Sequence, residues 1–495
     1  MWSKITKPVD NLLNQVTMYR LVLYLLIGIS LISVVISSFH LLPFGPIAFL
    51  FSLSFILFIS KFSNDIFARV FRAPVNTESV YITGLILALI ISPPSSFSDL
   101  PFLFWAALLA TASKYILSFG HKHLFNPAAI AVVLTATGFG NSASWWIGNP
   151  YLALPVAVSS YLIVRKIRRQ DLVLCFLFTV IILSLGFGMI KGSNPLTILN
   201  IIFLHSSLLF FAGFMLTEPL TSPTTNDLQF IFGTIVGFLF VPQVHIGSFY
   251  FSPEQALIIG NIFSYLSGSK HKLILTLKEK NRLTPDIYEF IFSANQKLNY
   301  LPGQYLEWTL DHPQPDQRGN RRYLTLASSP SEKDLRIGIK IQENGSSFKK
   351  ALLSLDKSPV IASQLSGNFT LPKDRSKGYV FVAGGIGITP FRSMIKYLVD
   401  MNLKMDIILL YINNNESEVV YRDIFDSAGI KTIYYNTDTS GYFNETSFPK
   451  LISDFKDRIF YISGPHGLVS TAENILKTLG IKSDHLKTDY FPGFA

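Results

Sequence analysis

The sequence predicts a multi-domain fold: a polytopic α-helical membrane domain of about ten spans, then a small antiparallel β-barrel, then an α/β lobe. Three observations carry this. Of 495 residues, 49% are hydrophobic and 14% aromatic, more than one soluble core requires. Up to Ser269, apolar stretches alternate with short polar loops, whereas from Lys270 onward charged residues are frequent and strand-like and helix-like patterns alternate. In the last third, an apolar run ends in the turn FVAGGIGITPFR, residues 381–392. Its glycines let the backbone approach a pyrophosphate at a helix N-terminus opened by Thr389 and Pro390. The boundaries follow as 1–269 for the membrane domain, 270–373 for the barrel and 374–495 for the α/β lobe.

Apolar segments fall at 18–38, 43–60, 80–91, 101–119, 127–137, 145–164, 172–190, 196–216, 228–241 and 255–266. Lys4, Lys7, Arg20, Lys61, Arg69, Arg72, Lys114, Lys122, Arg165, Lys166, Arg168, Arg169, Lys270 and Lys272 gather on one side if every segment crosses. Lys191 is the exception. That side is expected to be cytoplasmic, in a multi-pass protein of the inner (cytoplasmic) membrane, with the C-terminal half in the cytoplasm. The same topology accounts for much of the formal charge of +10, so nucleic acid is not an expected partner. The first 20 residues read as an uncleaved cytoplasmic lead-in. A single cysteine, Cys175, excludes an internal disulfide framework and a CxxC metal site, and no metal site is expected.

Two loops in this half are unlike simple connectors. HKHLFNPAA, residues 121–129, puts Asn126 at an N-cap and Pro127 at the first helical position after a polar break. LTEPLTSPTTND, residues 216–227, sets Thr217, Glu218, Thr221, Ser222 and Thr224 directly after an apolar segment. In lipid, irregular backbone persists where protein or a polar ligand satisfies it. A capped loop at the water interface explains both equally well.

Beyond residue 271 come short strand patterns: LILTLKEK, YEFIFSA, LPGQYLEWTL with Tyr305, RRYLTLASSP with Arg322, Tyr323, Leu324 and Thr325, and LRIGIKI. GSSFKKALLSL then begins a helix whose Gly345, Ser346 and Ser347 offer N–H and hydroxyl groups to phosphate. After Leu371 strands and helices alternate, which points to a parallel sheet.

FNPAA, TEPLTSP and TGLILALIISPP (residues 83–94) resemble the membrane family of the Rnf complex D subunit and the B subunit of the sodium-translocating NADH:quinone reductase. That resemblance implies flavin in the membrane domain, at Asn126, Pro127, Thr217, Glu218, Thr221, Ser222 and Thr224. Members that esterify FMN to threonine use an S-G-A-T-like loop, which is missing here, so non-covalent FMN or riboflavin is the form left open. Haem is disfavoured, since His40, His121, His123, His205 and His245 form no two recurrently spaced pairs.

Residues 272–495 resemble the ferredoxin–NADP+ reductase superfamily. The resemblance implies FAD on PGQY and RYLTLASS, with Arg322 on its pyrophosphate, Thr325 near the flavin N5 as a catalytic group, and Leu324 where an aromatic usually stacks. Tyr305 and Tyr323 belong to the same cofactor set, and Gly345, Ser346 and Ser347 match the second phosphate segment. Gly384, Gly385, Gly387, Thr389 and Pro390 match the nicotinamide dinucleotide loop. Ser463, Gly464 and Pro465 match a segment that usually reads C-G-P beside the nicotinamide, so Ser463 stands in for a catalytic cysteine. Phe491 lies among the aromatics that often cover the flavin. The absence of arginine near Asn414 favours NADH over NADPH, although Arg422 is placed to substitute.

The function expected is a membrane-bound, FAD-dependent NAD(P)H oxidoreductase. It passes electrons through a membrane redox centre, expected to be flavin, to a quinone, an extracytoplasmic flavoprotein or a haem protein. The alternatives are a membrane-anchored cytoplasmic-face diaphorase or quinone reductase, and a redox-driven ion transporter.

Overall fold

The computed structural model describes residues 9, 13, 16–71, 77–119, 122–167, 169–267, 273–312, 316, 320–342, 345–356 and 358–491. Lys4, Lys7, Arg72, His121, Arg168, Ser269, Lys270, Lys272 and Phe494, used in the expectations above, lie outside the described residues, as do the side chains of Lys122 and Phe491. The chain separates into two compact units, Met1–Lys270 and His271–Ala495.

The first unit is helical: α1 (Met18–Ser38), α2 (Pro46–Val70), α3 (Thr77–Ile90), α4 (Leu100–Ile116), α5 (Pro127–Phe139), α6 (Pro150–Ile167), α7 (Gln170–Ile190), α8 (Pro195–Leu204), α9 (Asn226–Phe240) and α10 (Pro253–Ser267). Among the described residues, α1, α2 and α7 are long and apolar enough to cross a membrane by length and composition. The segment expected as one span over 196–216 is bent, and counts as a fourth span by length and composition if its two pieces are taken together. After α8 the chain breaks, and Leu208–Met215 continues at a bend of 56°. Phe211–Met215 within it is π-helical, a form that frequently marks functional sites. Tertiary packing stabilises the break: a Cβ on Gly148 would lie 2.6 Å from the Ser206 carbonyl carbon, so the loop before α6 presses against it. Other boundaries differ as well: α2 continues past the expected end at Ser60, α6 starts at Pro150 and not at Trp145, and α4 ends before Ser118–Phe119, which pairs antiparallel with Lys122–His123.

The second unit holds, among the described residues, a six-stranded antiparallel sheet and a five-stranded parallel one. The antiparallel sheet contains β1 (Leu273–Arg282), β2 (Ile287–Ala294), β3 (Tyr305–Thr309), β4 (Arg321–Thr325), β5 (Leu335–Lys340) and β6 (Val360–Ser366), in the order β4-β3-β6-β1-β2-β5. The chain beyond one outer strand reaches the other where Ala327 N–H donates to the Arg336 carbonyl at 2.8 Å. A short helix, α11 (Ser347–Leu353), lies between β5 and β6.

The parallel sheet contains β7 (Gly378–Gly384), β8 (Asp406–Asn413), β9 (Lys431–Asn436), β10 (Arg458–Pro465) and β11 (Leu486–Phe491), in the order β9-β8-β7-β10-β11. β7 is buried from Tyr379 to Gly384, as a central strand covered on both faces must be. Helix α12 (Thr389–Asp400) buries Phe391, Met394, Ile395 and Leu398 at helical spacing. Strand order reverses between β7 and β10, because β8 and β9 lie to one side of β7 while β10 and β11 lie to the other. A crevice outside the strands' carboxyl ends at such a switch point is where open α/β sheets bind ligands.

Candidate functional site: a dinucleotide crevice and an anion cradle

Both glycine-rich motifs lie at that switch point. Gly384 ends β7, a 3-10 turn spans Gly385–Ile388, and α12 opens at Thr389 with Pro390 in its first turn. Ser463, Gly464 and Pro465 end β10 alongside. The two loops meet through backbone. A Cβ on Gly387 would lie 2.4 Å from the Ser463 carbonyl oxygen and 2.5 Å from Gly464 Cα, so only glycine permits the approach. Gly464 has φ +156, which an L side chain rarely adopts. Ser463 is fully buried, and its Oγ has no hydrogen-bond partner among the described residues. An orphaned hydroxyl at a ligand crevice suits a bound polar ring edge.

Beyond β8, Arg422 pairs with Glu416 at 2.8 Å and stacks on Tyr434 with its Cζ 4.3 Å from the ring centroid. Tyr434 donates to Asp426 at 2.6 Å. Burial, with Asp426 beside it, holds the Tyr434 phenol above its usual range. Glu418 caps the same loop, accepting from Asn414 N–H at 3.2 Å.

On the antiparallel sheet, strand alternation separates residues that the sequence reading assigned to one cofactor. Tyr323 and Thr325 face the side of Tyr305, Thr325's cross-strand partner; the Tyr305 and Tyr323 rings are edge-on at 5.6 Å. Tyr323 also donates to Glu307 at 2.9 Å. Arg322 and Leu324 face the other side, opposite Trp308 and Leu306. There the Arg322 guanidinium lies 5.2 Å from the Phe348 ring centroid and 3.6 Å from Asp316 Oδ1. Ser347 N–H donates to Asp316 Oδ2 at 2.9 Å, and Asp316 N–H donates to Ser347 Oγ at 2.8 Å. Arg322 and the Ser347 amide therefore converge on a carboxylate and form a donor set suited to an anion. Ser346 caps α11, its Oγ accepting from Lys349 N–H at 3.4 Å, and Gly345 leads into it.

In the helical unit, Asn126 caps α5: its Oδ1 accepts from Ala129 N–H at 3.1 Å, and Pro127 follows in the first turn. The Glu218 carboxylate joins the two unusual loops. Its Oε2 accepts from Asn126 Nδ2 at 2.9 Å and Thr221 Oγ1 at 3.1 Å, and its Oε1 lies 3.0 Å from His123 Nε2. Asn261 closes the ring, its Oδ1 accepting from Asn126 N–H at 2.9 Å and its Nδ2 donating to Thr221 O at 3.3 Å. Asn126, Pro127, Thr217 and Glu218 line a pocket with Ser79 and Thr83. Thr221 and Ser222 are buried outside its lining, and the Thr217 and Ser222 hydroxyls donate to backbone carbonyls of Gly213 and Glu218, each at 2.7 Å. Thr224 sits in the same loop, outside that lining, and is half-buried. His123 and Asn261 were not singled out for this site. Their only signal in the sequence is polarity beside apolar segments, and Glu218 is 95 residues from His123.

Residues 381–474 match the model of the oxidoreductase NAD-binding domain, and residues 146–266 match that of the NQR2, RnfD, RnfE family. The chain joins a membrane-family stretch to an oxidoreductase NAD-binding domain. The membrane match takes in TEPLTSP and begins after FNPAA. The reductase component of 3-ketosteroid-9-alpha-monooxygenase from Mycolicibacterium smegmatis is 24% identical over 237 residues, which cover 45% of this chain and 66% of that one. A stachydrine N-demethylase reductase subunit from Rhizobium meliloti is 25% identical, covering 43% and 65%. A flavohemoprotein from Bacillus anthracis is 26% identical, covering 39% and 53%. The chain thus spans about half to two thirds of the length of these curated relatives. Among solved structures, the FAD/NAD-binding domain of a Vibrio cholerae nitric oxide dioxygenase is 20% identical, with a TM-score of 0.39 and coverage of 44% of this chain and 98% of that one.

Proposed function

We propose that this protein is a membrane-bound, FAD-dependent NAD(P)H oxidoreductase that passes electrons through a redox centre in its helical unit to a membrane or extracytoplasmic acceptor. The observation that carries the reading is the switch-point crevice, where the GGIG turn and the orphaned Ser463 hydroxyl meet at the ends of β7 and β10. The named relatives are reductase components and flavohemoproteins, which supports the same reaction class for residues 270–373 and 374–495 as FAD- and NAD(P)-binding domains.

The Gly385–Ile388 turn leading into α12 receives the dinucleotide pyrophosphate, since Thr389 N–H already donates to the Ile386 carbonyl and Pro390 has none. Open space at Gly385 leaves room for it, and Gly387 lets the turn meet the Ser463–Gly464 backbone. Ser463 orients the nicotinamide edge. Arg322 and the Ser347 amide hold the FAD pyrophosphate in place of the Asp316 carboxylate, and Thr325 with Tyr305 and Tyr323 contacts the ring system. FAD supplies the change from two-electron to one-electron chemistry. Glu416 and Glu418 beyond β8, with Arg422 already committed to Glu416, disfavour a 2′-phosphate and favour NADH. In the helical unit, the pocket of Asn126, Thr217 and Glu218 holds a second, non-covalent flavin, FMN or riboflavin. The gathering of basic residues in loops on one side supports an inner-membrane protein with a cytoplasmic reductase unit.

The test is the absorption spectrum and extracted-cofactor content of the purified whole protein, followed by anaerobic titration with NADH and NADPH. Bleaching of bound flavin at lower NADH than NADPH concentration is expected. A preparation that binds FAD but is reduced by neither dinucleotide overturns the reading.

A further inference from the structure

The dinucleotide turn and the strand carrying Thr325 belong to different sheets, yet side chains of one helix join them. α12 begins where the Gly385–Ile388 turn ends. From its first turn, the buried Arg392 donates through Nη1 to the Ala327 carbonyl at 2.8 Å, just beyond Thr325. The same guanidinium grips Glu332 with both arms, Nη1 to Oε2 at 2.5 Å and Nη2 to Oε1 at 3.0 Å. Ser393 adds a second tie, its Oγ donating to the Ser328 carbonyl at 2.6 Å.

Glu332 is itself fixed, accepting from Ser329 N–H at 2.7 Å and facing Arg336 Nε at 3.1 Å, while Arg336 Nη1 donates to Glu289 at 2.9 Å. Two arginines and two carboxylates thus form a largely buried, charge-balanced network between the sheets. Burial works against the Arg392 charge, but the hydrogen bonds and charge of Glu332 prevail and raise its pKa above the usual arginine value. A second contact lies alongside. A Cβ on Gly338 of β5 would approach Thr389 Cγ2 and Tyr421 Oη to 3.0 Å each. Tyr421, at φ +61, presents its ring 5.3 Å from Arg392 Cζ.

We propose that Arg392, locked by Glu332 and assisted by Ser393, is a positioning residue that sets the distance between the dinucleotide turn and the Thr325 strand for hydride transfer. The inference rests on the oxidoreductase reading above. In that reaction a hydride, one proton with two electrons, leaves C4 of the dihydronicotinamide, which is oxidised, and adds to the flavin ring, which is reduced. A misplacement of about 1 Å in such a step costs on the order of 100-fold in rate. Arginine suits the role because its planar fork fixes direction as well as charge.

The test uses the full chain with Arg392→Lys, which keeps charge but loses the fork, and Ser393→Ala, a milder change that keeps the proposal testable should the first variant fold poorly. Single-turnover reduction is followed with NADH and 4-deuterated NADH, alongside bound FAD, NAD+ affinity, and amide hydrogen exchange of residues 326–333 and 385–395 without added cofactor. Arg392→Lys is expected to slow reduction on the order of 10-fold or more with a larger isotope effect, and Ser393→Ala about 3-fold. Bound FAD and NAD+ affinity should stay within about 2-fold, and exchange should rise in both segments together. Wild-type reduction rates in a variant with normal FAD, or losses matched by weaker FAD or NAD+ binding with an unchanged isotope effect, overturn the proposal alone. A wild-type protein inert to both dinucleotides overturns the oxidoreductase reading and this inference with it.

Discussion

Ser463 and Arg322 show how a neutral and a charged side chain at a ligand site lead to different mutational expectations. The folded chain leaves Ser463 Oγ buried with no partner among the described residues, so its removal deletes a desolvation cost. Ser463→Ala is expected to leave thermal stability unchanged or raise it by up to about 1 kcal/mol, while slowing NADH-dependent flavin reduction about 10-fold. Thermal unfolding and stopped-flow reduction check the two halves, and an unchanged rate removes Ser463 from the site. Arg322 differs in being charged, with its guanidinium over Phe348 and 3.6 Å from Asp316 Oδ1. A charged hydrogen bond to phosphate contributes about 1.5–3 kcal/mol, so Arg322→Ala should weaken FAD binding roughly 10- to 100-fold with NAD+ binding unaffected. Arg322→Lys should recover only part of that loss, because a point charge does not replace a two-armed donor. Flavin fluorescence titration measures both.

At the scale of elements, structure set by nearby residues was legible and structure set by distant ones was not. FVAGGIGITPFR announces strand, turn and helix through an apolar run, glycines and Thr389–Pro390, all within one short stretch. β6 was not among the strands read from the sequence. Its register holds Ile361 opposite Thr309 on one side and Ile274 on the other, and it shifts between Ser363 and Ser366, where Gln364 adopts φ +53. An irregular strand between distant partners leaves little alternation to read. The break after α8 was invisible for the same reason, since His205, Ser206 and Ser207 carry no proline or glycine signal and the constraint comes from Gly148. Asn126 and Glu218 were picked out by their loops, whereas His123, in the same loop as Asn126, was weighed only as a haem ligand and Asn261 was not read at all. This ring makes its own prediction. Glu218→Gln exchanges one of the two carboxylate oxygens for an NH2 donor, so Asn126, Thr221 and His123 can no longer all face an acceptor oxygen, at a cost of about 1–3 kcal/mol. The expected outcome is a lower unfolding temperature of the helical unit in detergent and loss of any non-FAD flavin. FAD content and NADH-dependent reduction of a soluble acceptor should hold. Retention of that flavin in Glu218→Gln removes the ring from the cofactor site.

For the whole molecule, the decisive constraint is the thickness of the hydrocarbon layer, about 30 Å. A dinucleotide site on one side cannot reduce an acceptor on the other through apolar helices alone, so a relay needs a carrier within the helical unit. Among the described residues no cluster of histidine, cysteine and carboxylate side chains suits a metal, whereas the Glu218 pocket offers polar groups beside apolar walls. That mix of polar and apolar groups is the chemistry of an organic-ligand site, and the cavity of about 60 Å³ must widen to admit a flavin ring. The expected composition is FAD plus one further flavin per chain, with NADH reducing both in the full protein. In proteoliposomes, the wild type should reduce a membrane-impermeant acceptor on the face opposite to NADH, and Glu218→Gln should lose about 90% or more of that activity while keeping same-side reduction. Full opposite-face reduction by a preparation containing FAD alone would refute the relay. Same-side reduction with no opposite-face activity would instead assign the reductase unit to an acceptor at its own face.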